Sequence, residues 1–473
     1  MTGRPVSEAE LDEALALVND HREGPAGAPA AQPTPTPRSE APGDTGTEPG
    51  PGPGPRPGKH HHHTTPWPTA RARAARAARR AARAARPGTG TEGDPVAPVP
   101  LDQALGLTLA APLSALTDLP SFDTSAMDGW VVAGPGPWDV RAEGILAGHG
   151  RPEPLTDGEA VRIATGARIP QDATAVLRSE HGRTDDKGRL HAGREVVPGQ
   201  DIRPRGQECR SGDQLLPSGA LVTPAVLGLA AAAGYDTLAT LRRPRVEVLV
   251  LGDELLTAGL PRDGLIRDAL GPMLPPWLRA LGADVTAVRR LGDDAEALHK
   301  AITTSDADLI VTTGGTASGP VDHVHPILSR IGAELLVDGV AVRPGHPMLL
   351  ARIRPDQHLV GLPGNPLAAV SGLLTLAEPL LRTLSGRGNE SAYTAPVRDD
   401  VQGHPHDTRL VPVTLRSEHA VPLHFNGPAM LRGIAAADGL AVVPPGGARQ
   451  EQELEILDLP WALMASDGGV CFT

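Results

Sequence analysis

The stretch DLIVTTGGTASGPVDHV, residues 308–324, combines a short apolar strand with a loop of small residues and a carboxylate. Its first part, Leu309–Thr313, is apolar and rich in β-branched residues, which is typical of a buried parallel strand. In the loop, backbone N–H groups can approach an anion closely because few side chains stand in the way. Asp322 follows, placed to hold a metal ion or water. The small residues of the loop are Gly314, Gly315, Thr316 and Ser318.

Two further apolar segments of the same region end in polar loops. Asp253-Glu254 follows VEVLVLG, and Pro363-Gly364-Asn365-Pro366 follows HLVGL. If the strands are parallel, their carboxyl ends meet at one edge of a sheet, where ligands gather. Each signal has an ordinary structural alternative, because the acidic pair could cap a helix, PGNP could form a rigid turn, and Gly-Gly often marks a turn without a ligand.

The composition limits the class of protein. The chain has 473 residues, enough for about three domains, and 40% of them are hydrophobic. The net charge of −12 argues against nucleic-acid binding by the whole chain. With only two cysteines, neither a disulfide framework nor a thiolate metal cluster is indicated. We find no signal peptide and no apolar run of membrane-spanning length, so we expect a cytoplasmic protein without a membrane partner.

The amino-terminal part changes character along its length. Residues 5–22 have the pattern of an amphipathic helix, with Ser7 as its N-cap. Residues 23–94 are rich in Pro, Gly, Ala and Thr, and we predict that they are a disordered insertion. Within it, His60–His63 is more often a solvated tract than a metal site. The Arg-rich run Ala70–Arg86 would form a helix, which we interpret as a solvated arm.

The remaining chain predicts a multidomain α/β plus β architecture. Short strands and many turns over 120–200 indicate a small β-rich domain, and alternating strands and helices over 242–386 indicate an α/β domain with a mostly parallel sheet. Residues 390–473 return to strand patterning and form a C-terminal all-β module. A mixed α/β domain is assembled from residues 1–22, 95–119 and 201–241, with a helix from about Pro224 to Ala233 after the N-cap candidate Thr223.

Taken together and in order, five blocks resemble one known family. FDTSAMDGWVV, RIATGARIP, GDELL, TTGGTASGPVD and LPGNP look like the signature blocks of the molybdopterin molybdenumtransferases, the MoeA and gephyrin E-domain group. The resemblance extends from about Val96 to the C-terminus, and the segment 5–22 is similar to the opening helix of the family. The α/β domain would then be MogA-like.

The resemblance implies an enzyme of molybdenum cofactor biosynthesis. Members of the family insert molybdenum from molybdate into adenylylated molybdopterin and release AMP, with Mg²⁺ or a similar divalent cation. They are elongated homodimers whose active cleft lies between the α/β domain of one subunit and the small β-rich domain of the other. The resemblance assigns catalytic roles to Asp128, Thr165, Glu254, Asp293 and Asp322, metal binding to Glu254 and Asp322, and substrate binding to Gly314, Gly315, Thr316, Ser318, Arg343, His346, Pro363 and Asn365.

Several positions depart from the family pattern. The KPGKP block is here RPGHP, so that Arg343 keeps a positive charge, whereas His346 is largely neutral at pH 7. The DSN-type block is Asp268-Ala269-Leu270, which lacks an amide. The loop after Gly315 reads TASGP where Ser-Val-Gly is usual. Three functions therefore stay open: an active molybdenumtransferase, which we favour, a weakened paralogue that binds molybdopterin or a partner without turnover, and a molybdopterin adenylyltransferase.

Overall fold

The computed structural model of the chain describes residues 64–84, 96–148, 150–316, 322–387 and 393–460. These residues divide into two compact units. One unit contains 64–84, 244–384 and 393–460, and the other contains 96–243 with 385–387. The amphipathic pattern at 5–22 lies outside the described residues.

The centre of the first unit is a six-stranded sheet that is mostly parallel, as the sequence predicted. Three of its four parallel strands are apolar and largely buried, because helices cover both faces of the sheet there. The fourth, Asp284–Leu291, lies at the edge and is partly exposed. Two antiparallel strands extend one edge. In spatial order the strands are Asp284–Leu291, Arg245–Leu251, Leu309–Thr313, Gln357–Leu362, Leu349–Arg354 and Glu334–Asp338.

Helices begin where the sequence supplies caps or helix-compatible residues. Asp294 caps the helix Ala295–Thr303 by accepting hydrogen bonds from the next turn, and Pro366 occupies the first position of the helix Pro366–Gly372. That helix continues through a π-helical turn, Leu373–Ala377, into Glu378–Leu384. The remaining elements of this region are the helices Leu270–Ala280 and Val324–Arg330 and the paired strands Leu255–Leu256 and Ile266–Arg267.

The run Pro366–Leu384 is long and apolar enough to cross a membrane, which the sequence analysis did not recognise. However, 78% of its most apolar window is buried inside the fold. Leu373, Leu374 and Leu376 contribute to the largest hydrophobic cluster of the unit. The run is therefore a core helix in this structure.

The segment 64–84 is ordered, so the prediction of a disordered insertion over 23–94 is wrong for these residues. Trp67–Ala84 is a helix of 18 residues, and the strand Thr65–Pro66 precedes it and pairs with Val340–Arg343. The indole Nε1 of Trp67 donates a hydrogen bond of 3.0 Å to Thr375 Oγ1. Arg71 lies 5.2 Å from the Trp67 ring and forms an ion pair of 3.4 Å with Glu378.

A stripe of alanines makes this packing possible. Six of them are buried on the side where the helix meets the Pro366–Leu384 region, because a methyl side chain lets two helices approach closely. The helix is therefore anchored on the core and is not a solvated arm. The buried alanines are Ala70, Ala74, Ala75, Ala77, Ala78 and Ala81.

The C-terminal module is all-β apart from the short helix Arg432–Ala435, as predicted. Its sheet also incorporates Val340–Arg343 from the α/β region and Thr65–Pro66. Alternating residues of the long strand Thr408–Arg416, such as Val411 and Val413, fill the module's core. Its other strands are Tyr393–Pro396, Val401–Gln402, His419–Pro422, Gly439–Val443, Gly447–Ala448 and Glu453–Asp458.

The second unit contains a six-stranded sheet between residues 129 and 192, inside the region predicted to be β-rich. Residues of alternating strand positions build two clusters, one on each face. In spatial order its strands are Gly182–Thr184, Arg189–Ala192, Trp138–Val140, Glu159–Ile163, Gly129–Val132 and Ala175–Arg178.

The rest of the second unit is a mixed α/β region. The helix Pro224–Ala232 starts as predicted, since Thr223 Oγ1 accepts a hydrogen bond of 3.3 Å from the Val226 N–H. The 3₁₀ turns are Leu101–Gln103 and Ser179–His181. A three-stranded sheet comprises Val96–Pro100, Thr237–Leu241 and Thr108–Leu109, and two small ladders pair Thr124–Ser125 with Ile202–Arg203 and Leu113–Ser114 with Gln214–Leu216.

Candidate functional site

Four parallel strands of the first unit end side by side, and each runs directly into a polar loop. Leu251 pairs with Leu291, Val250 with Thr313, and Thr313 with Leu362. The predicted loops therefore share the carboxyl edge of one sheet, as the sequence patterns indicated.

A cavity of about 110 Å³ lies at this edge. Five residues predicted to be functional line it: Glu254, Asp293, Gly314, Gly315 and Asp322. Its other lining residues were not predicted from the sequence. The Gly-Asp-Asp turn after a strand was the available signal for two of them, but only the middle residue of that turn was selected. The lining residues not predicted are Leu251, Gly252, Gly292, Asp294, Leu298 and His323.

The glycines of the cavity adopt conformations that favour glycine. Gly314 has φ +79° and Gly315 has φ +66°, which is the left-handed region. The Gly314 N–H donates a hydrogen bond of 2.8 Å to Leu362 O and is therefore not available to a ligand. In the described part of the chain, the N–H groups of Gly315 and Thr316 have no acceptor. Two consecutive amides of this kind form a concave donor site for an anion.

The side chain of Thr316 does not reach the cavity. It is 4% exposed, and a Cβ atom added at Gly361 would lie 2.7 Å from its methyl group. The threonine therefore packs against the neighbouring strand, and its backbone is the part that faces the loop. Ser318 lies in 317–321, outside the described residues.

Acidic side chains also line the cavity. A Cβ atom added at Gly252, where φ is +133°, would lie 2.4 Å from a carboxylate oxygen of Glu254, so that a side chain there would displace this carboxylate. Asp294 is engaged as a helix cap, since its Oδ1 accepts from the Glu296 N–H at 2.8 Å. Within the described ranges, no three His, Cys, Asp or Glu side chains are grouped so that they could hold a metal ion alone.

The PGNP loop is a neighbour of the glycine loop. A Cβ atom added at Gly364 would lie 3.8 Å from the Gly314 Cα. Pro363 is buried, and Asn365 is exposed and precedes the helix Pro366–Gly372, with its side chain making no capping hydrogen bond. Neither residue lines the 110 Å³ cavity, so the structure brings the two loops together without placing these side chains in it.

Arg343 and His346 also lie outside the lining of that cavity. The exposed Arg343 uses its Nε to donate a hydrogen bond of 2.8 Å to the Asp407 carboxylate of the C-terminal module. The His346 Nδ1 lies 2.9 Å from Val340 O, and because a carbonyl only accepts, this nitrogen carries the proton. The opposite ring nitrogen, Nε2, is then the one left for another partner.

Asp128 and Thr165 are neighbours in the second unit. The Thr165 N–H donates a hydrogen bond of 2.7 Å to Asp128 Oδ1. This bond, followed by one from the Thr165 side chain, lowers the pKa of Asp128 below its ordinary value of 3.8. Both residues are exposed, at the end of the sheet where the strand Gly129–Val132 begins. They form an ionised acidic site on the surface.

Three family models match successive parts of the chain. They describe the "MoeA N-terminal region (domain I and II)" over residues 69–234, a "Probable molybdopterin binding domain" over 247–383, and the "MoeA C-terminal region (domain IV)" over 394–458. The first match begins inside the helix Trp67–Ala84. The matched region therefore starts within this helix, and the segment 5–22 lies outside both the match and the described residues.

Whole proteins match over most of their length. A relative from Mycobacterium tuberculosis, "Molybdopterin molybdenumtransferase 2", is 34% identical over 374 residues, which cover 73% of this chain and 90% of the relative. A "Molybdopterin molybdenumtransferase" from Staphylococcus aureus is 29% identical, covering 75% and 88%. The crystal structure of a molybdopterin biosynthesis MoeA protein from Pyrococcus horikoshii matches with a TM-score of 0.67 and 25% identity, covering 84% of this chain and 99% of that one.

Proposed function

This chain belongs to the molybdopterin molybdenumtransferase family, and on this basis we propose that it inserts molybdenum from molybdate into adenylylated molybdopterin and releases AMP. The observation that carries the proposal is the cavity at the carboxyl edge of the parallel sheet. There, amides that have no acceptor among the described residues adjoin carboxylates from three loops. An adenylylated substrate offers phosphate oxygens, which are suited to these donors.

The residues of the cavity have separate tasks in this proposal. The N–H groups of Gly315 and Thr316 hold a phosphate oxygen of the adenylate and orient the bond that is broken. The positive φ angles of the glycines keep this part of the backbone close to the substrate without a Cβ in between. Ser318 and the PGNP residues Pro363 and Asn365 complete the binding surface around the same loop.

Carboxylate oxygens are also the donors that a hard divalent cation prefers. Glu254 and Asp322 would hold Mg²⁺, with Asp293 nearby on the same cavity wall. A site with two protein carboxylates suits Mg²⁺, which usually takes its remaining ligands from water and substrate phosphates. When bound, the cation would neutralise charge on the phosphates. Arg343 and His346, which lie outside the cavity lining, would donate hydrogen bonds to the anionic substrates from the RPGHP turn.

We further propose that the enzyme is a cytoplasmic homodimer whose cleft is shared between subunits, with Asp128 and Thr165 supplied by the partner. Asp128 is ionised and exposed, so packing in a core does not explain this residue, and we assign it a role toward the substrate.

Mixing the Glu254→Gln and Asp128→Asn proteins tests whether the cleft is shared between subunits. A mixed dimer then has one cleft with both wild-type residues, and activity should return in the mixture. Two inactive parents that stay inactive after verified subunit exchange would exclude a shared cleft.

The adenylyltransferase alternative is not favoured, because the matches include the N-terminal and C-terminal MoeA regions and not the central domain alone.

Incubation with adenylylated molybdopterin, molybdate and Mg²⁺ should release AMP and yield active cofactor. Glu254→Gln should abolish AMP release while the protein stays folded. Asp284→Asn is the matched control, since this exposed carboxylate lies at the opposite end of the same sheet. Folded wild-type enzyme that releases no AMP would refute the proposed activity.

A further inference from the structure

The helix Trp67–Ala84 presents an unusually basic outer face. Its inner alanines are buried on the core, whereas the arginines at 73, 76, 79 and 80 are all exposed. Spacings of three and four residues place neighbouring members of this set on one side of a helix. We call these four residues the basic face: Arg73, Arg76, Arg79 and Arg80.

The positive charges of the basic face are not neutralised within the described part of the chain. Arg73 donates hydrogen bonds to Thr65 Oγ1 at 3.4 Å and Leu336 O at 3.3 Å, neither of which carries a charge. The side chains of Arg76, Arg79 and Arg80 form no hydrogen bond or ion pair there. By contrast, Arg71 on the inner side of the same helix is paired with Glu378. Like charges at these spacings destabilise a helix, so the basic face is suited to an acidic partner.

The chain itself contains an acidic segment with no other assigned role. From Glu8 to Asp20 the sequence EAELDEALALVND has no Lys or Arg. Its apolar and acidic residues have the helical pattern described above for 5–22. This segment lies outside the described residues, on the amino-terminal side of the helix. The five carboxylates are Glu8, Glu10, Asp12, Glu13 and Asp20.

The connection between the two segments is long enough for contact within one chain. Residues 21–63 separate Asp20 from Thr64, the first described residue, and they are rich in Gly and Pro. A random-coil chain of this length would have a root-mean-square span of roughly 35–40 Å. A helix of 18 residues is about 27 Å long, so the linker reaches any part of the basic face. Tethering also gives the acidic segment an effective concentration on the order of millimolar.

We propose that the acidic segment 8–20 docks on the basic face of the helix Trp67–Ala84 in the same chain. Complementary charge selects the face, and the tether favours the segment of the same molecule over a separate acidic partner. The contact is electrostatic and therefore sensitive to salt. It shields a basic surface that would otherwise attract polyanions to an acidic protein.

Hydrogen exchange of the full chain, detected by mass spectrometry, tests the proposal. At about 20 mM salt, amides of residues 8–20 should exchange at least roughly tenfold more slowly than at about 500 mM salt. Reversing the basic face with Arg73→Glu, Arg76→Glu, Arg79→Glu and Arg80→Glu should remove this protection. Adding Glu8→Arg, Glu10→Arg, Asp12→Arg and Glu13→Arg to the reversed variant should restore it, because the charges are then exchanged.

A control variant keeps the change in net charge but moves it elsewhere. Arg151→Glu, Arg183→Glu, Arg203→Glu and Arg262→Glu reverse four exposed arginines and should leave the protection intact. The proposal is overturned if residues 8–20 show no protection at low salt, or if protection survives reversal of the basic face. Protection that rises with protein concentration would instead identify docking on a second copy. If residues 8–20 show no protection and added polyanion displaces an acidic partner from the basic face, that partner is a separate molecule.

Discussion

The Asp128 carboxylate and the Thr165 N–H are joined by a hydrogen bond of 2.7 Å, across 37 residues of sequence. This bond and the one from the Thr165 side chain stabilise the ionised carboxylate and lower the pKa of Asp128. The carboxylate therefore stays charged throughout the neutral range, which suits an electrostatic or positioning role and not proton donation at pH 7.

Asp128→Asn should consequently reduce AMP release strongly while leaving the fold intact, because the side chain is exposed and its amide replacement keeps the shape. Since the pKa of the folded state is depressed below 3.8, the stabilising effect of ionised Asp128 is present above that pH and is lost as the pH falls through the folded value. The rate of AMP release and the urea midpoint at pH 7 are the measurements. A large fall in the urea midpoint would instead make Asp128 structural.

Gly315→Ala should lower the free energy of unfolding by about 1–2 kcal/mol, because alanine is strained in the left-handed region. The added methyl would also lie 3.1 Å from Val324 Cγ2 and shift the loop that carries the N–H donors. Gly332→Ala is the control, with φ +69° and no atom within 4 Å of the added Cβ. Both variants should lose similar stability in urea unfolding, but only Gly315→Ala should lose AMP release. Equal activity in the two variants would exclude the loop from substrate binding.

Trp67→Ala should destabilise the first unit by about 3–5 kcal/mol, since the indole is 4% exposed and bonded to Thr375. Thr375→Val removes only the hydrogen-bond partner and should cost less, about 1–3 kcal/mol. Chemical denaturation measures both. A Trp67→Ala variant as stable as the wild type would contradict the observed packing.

Deletion of residues 25–63 should leave the melting temperature nearly unchanged, because it spares the helix Trp67–Ala84.

His358 predicts an acid sensitivity of folding. The ring is fully buried, neither nitrogen has a partner in the described structure, and burial lowers its pKa from 6.5 to about 4. Between these values the unfolded chain binds more protons than the folded one, so stability falls as the pH is lowered from 6.5 toward 4. From pH 7 to pH 5 this group should remove about 2 kcal/mol.

His358→Leu should abolish that part of the pH dependence, since leucine cannot bind a proton in the unfolded chain. Urea unfolding of both proteins at pH 7 and pH 5 measures the difference. His424→Gln, at an exposed histidine of the C-terminal module, is the matched substitution and should leave the buried ring's contribution in place. An unchanged pH dependence in His358→Leu would show that folding does not shift the pKa of this ring.

His346→Lys should strengthen the binding of an anionic substrate. If Nε2 of His346 faces the anion, the ammonium group of a lysine adds a positive charge at that place. We expect the KM for molybdate at pH 8 to be lower for His346→Lys than for the wild type. An unchanged KM would assign the electrostatic contribution to Arg343 alone.

The carboxyl edge of the parallel sheet was predictable because two local signals coincide there. Apolar β-branched runs mark the strands, and small or acidic residues follow directly, so that Glu254, Gly314 and Asp322 were selected correctly as neighbours. The pattern could not show that the Gly314 N–H is used by Leu362 or that Thr316 turns its side chain into the fold. Those details depend on the relative position of adjacent strands, which one sequence does not encode in its periodicity.

The helix Trp67–Ala84 was misjudged for a physical reason. Its buried side chains are mostly methyl groups, which contribute little apolar area each, and the arginines dominate its composition. The composition of this helix alone is therefore typical of a solvated arm. What stabilises the helix is the close approach that alanine permits to Leu374 and Thr375, together with the single large anchor Trp67. These partners lie about 300 residues away and leave no local signal.

That separation has a consequence for synthesis. Trp67 and Thr375 are 308 positions apart, and a ribosome adds roughly 5–20 residues per second. The arginine-bearing helix therefore emerges from the ribosome about 15–60 s before its docking surface exists. During this interval the sheets between residues 96 and 241 can form from chain that is already available. The last unit to finish is thus the one that contains the earliest described segment.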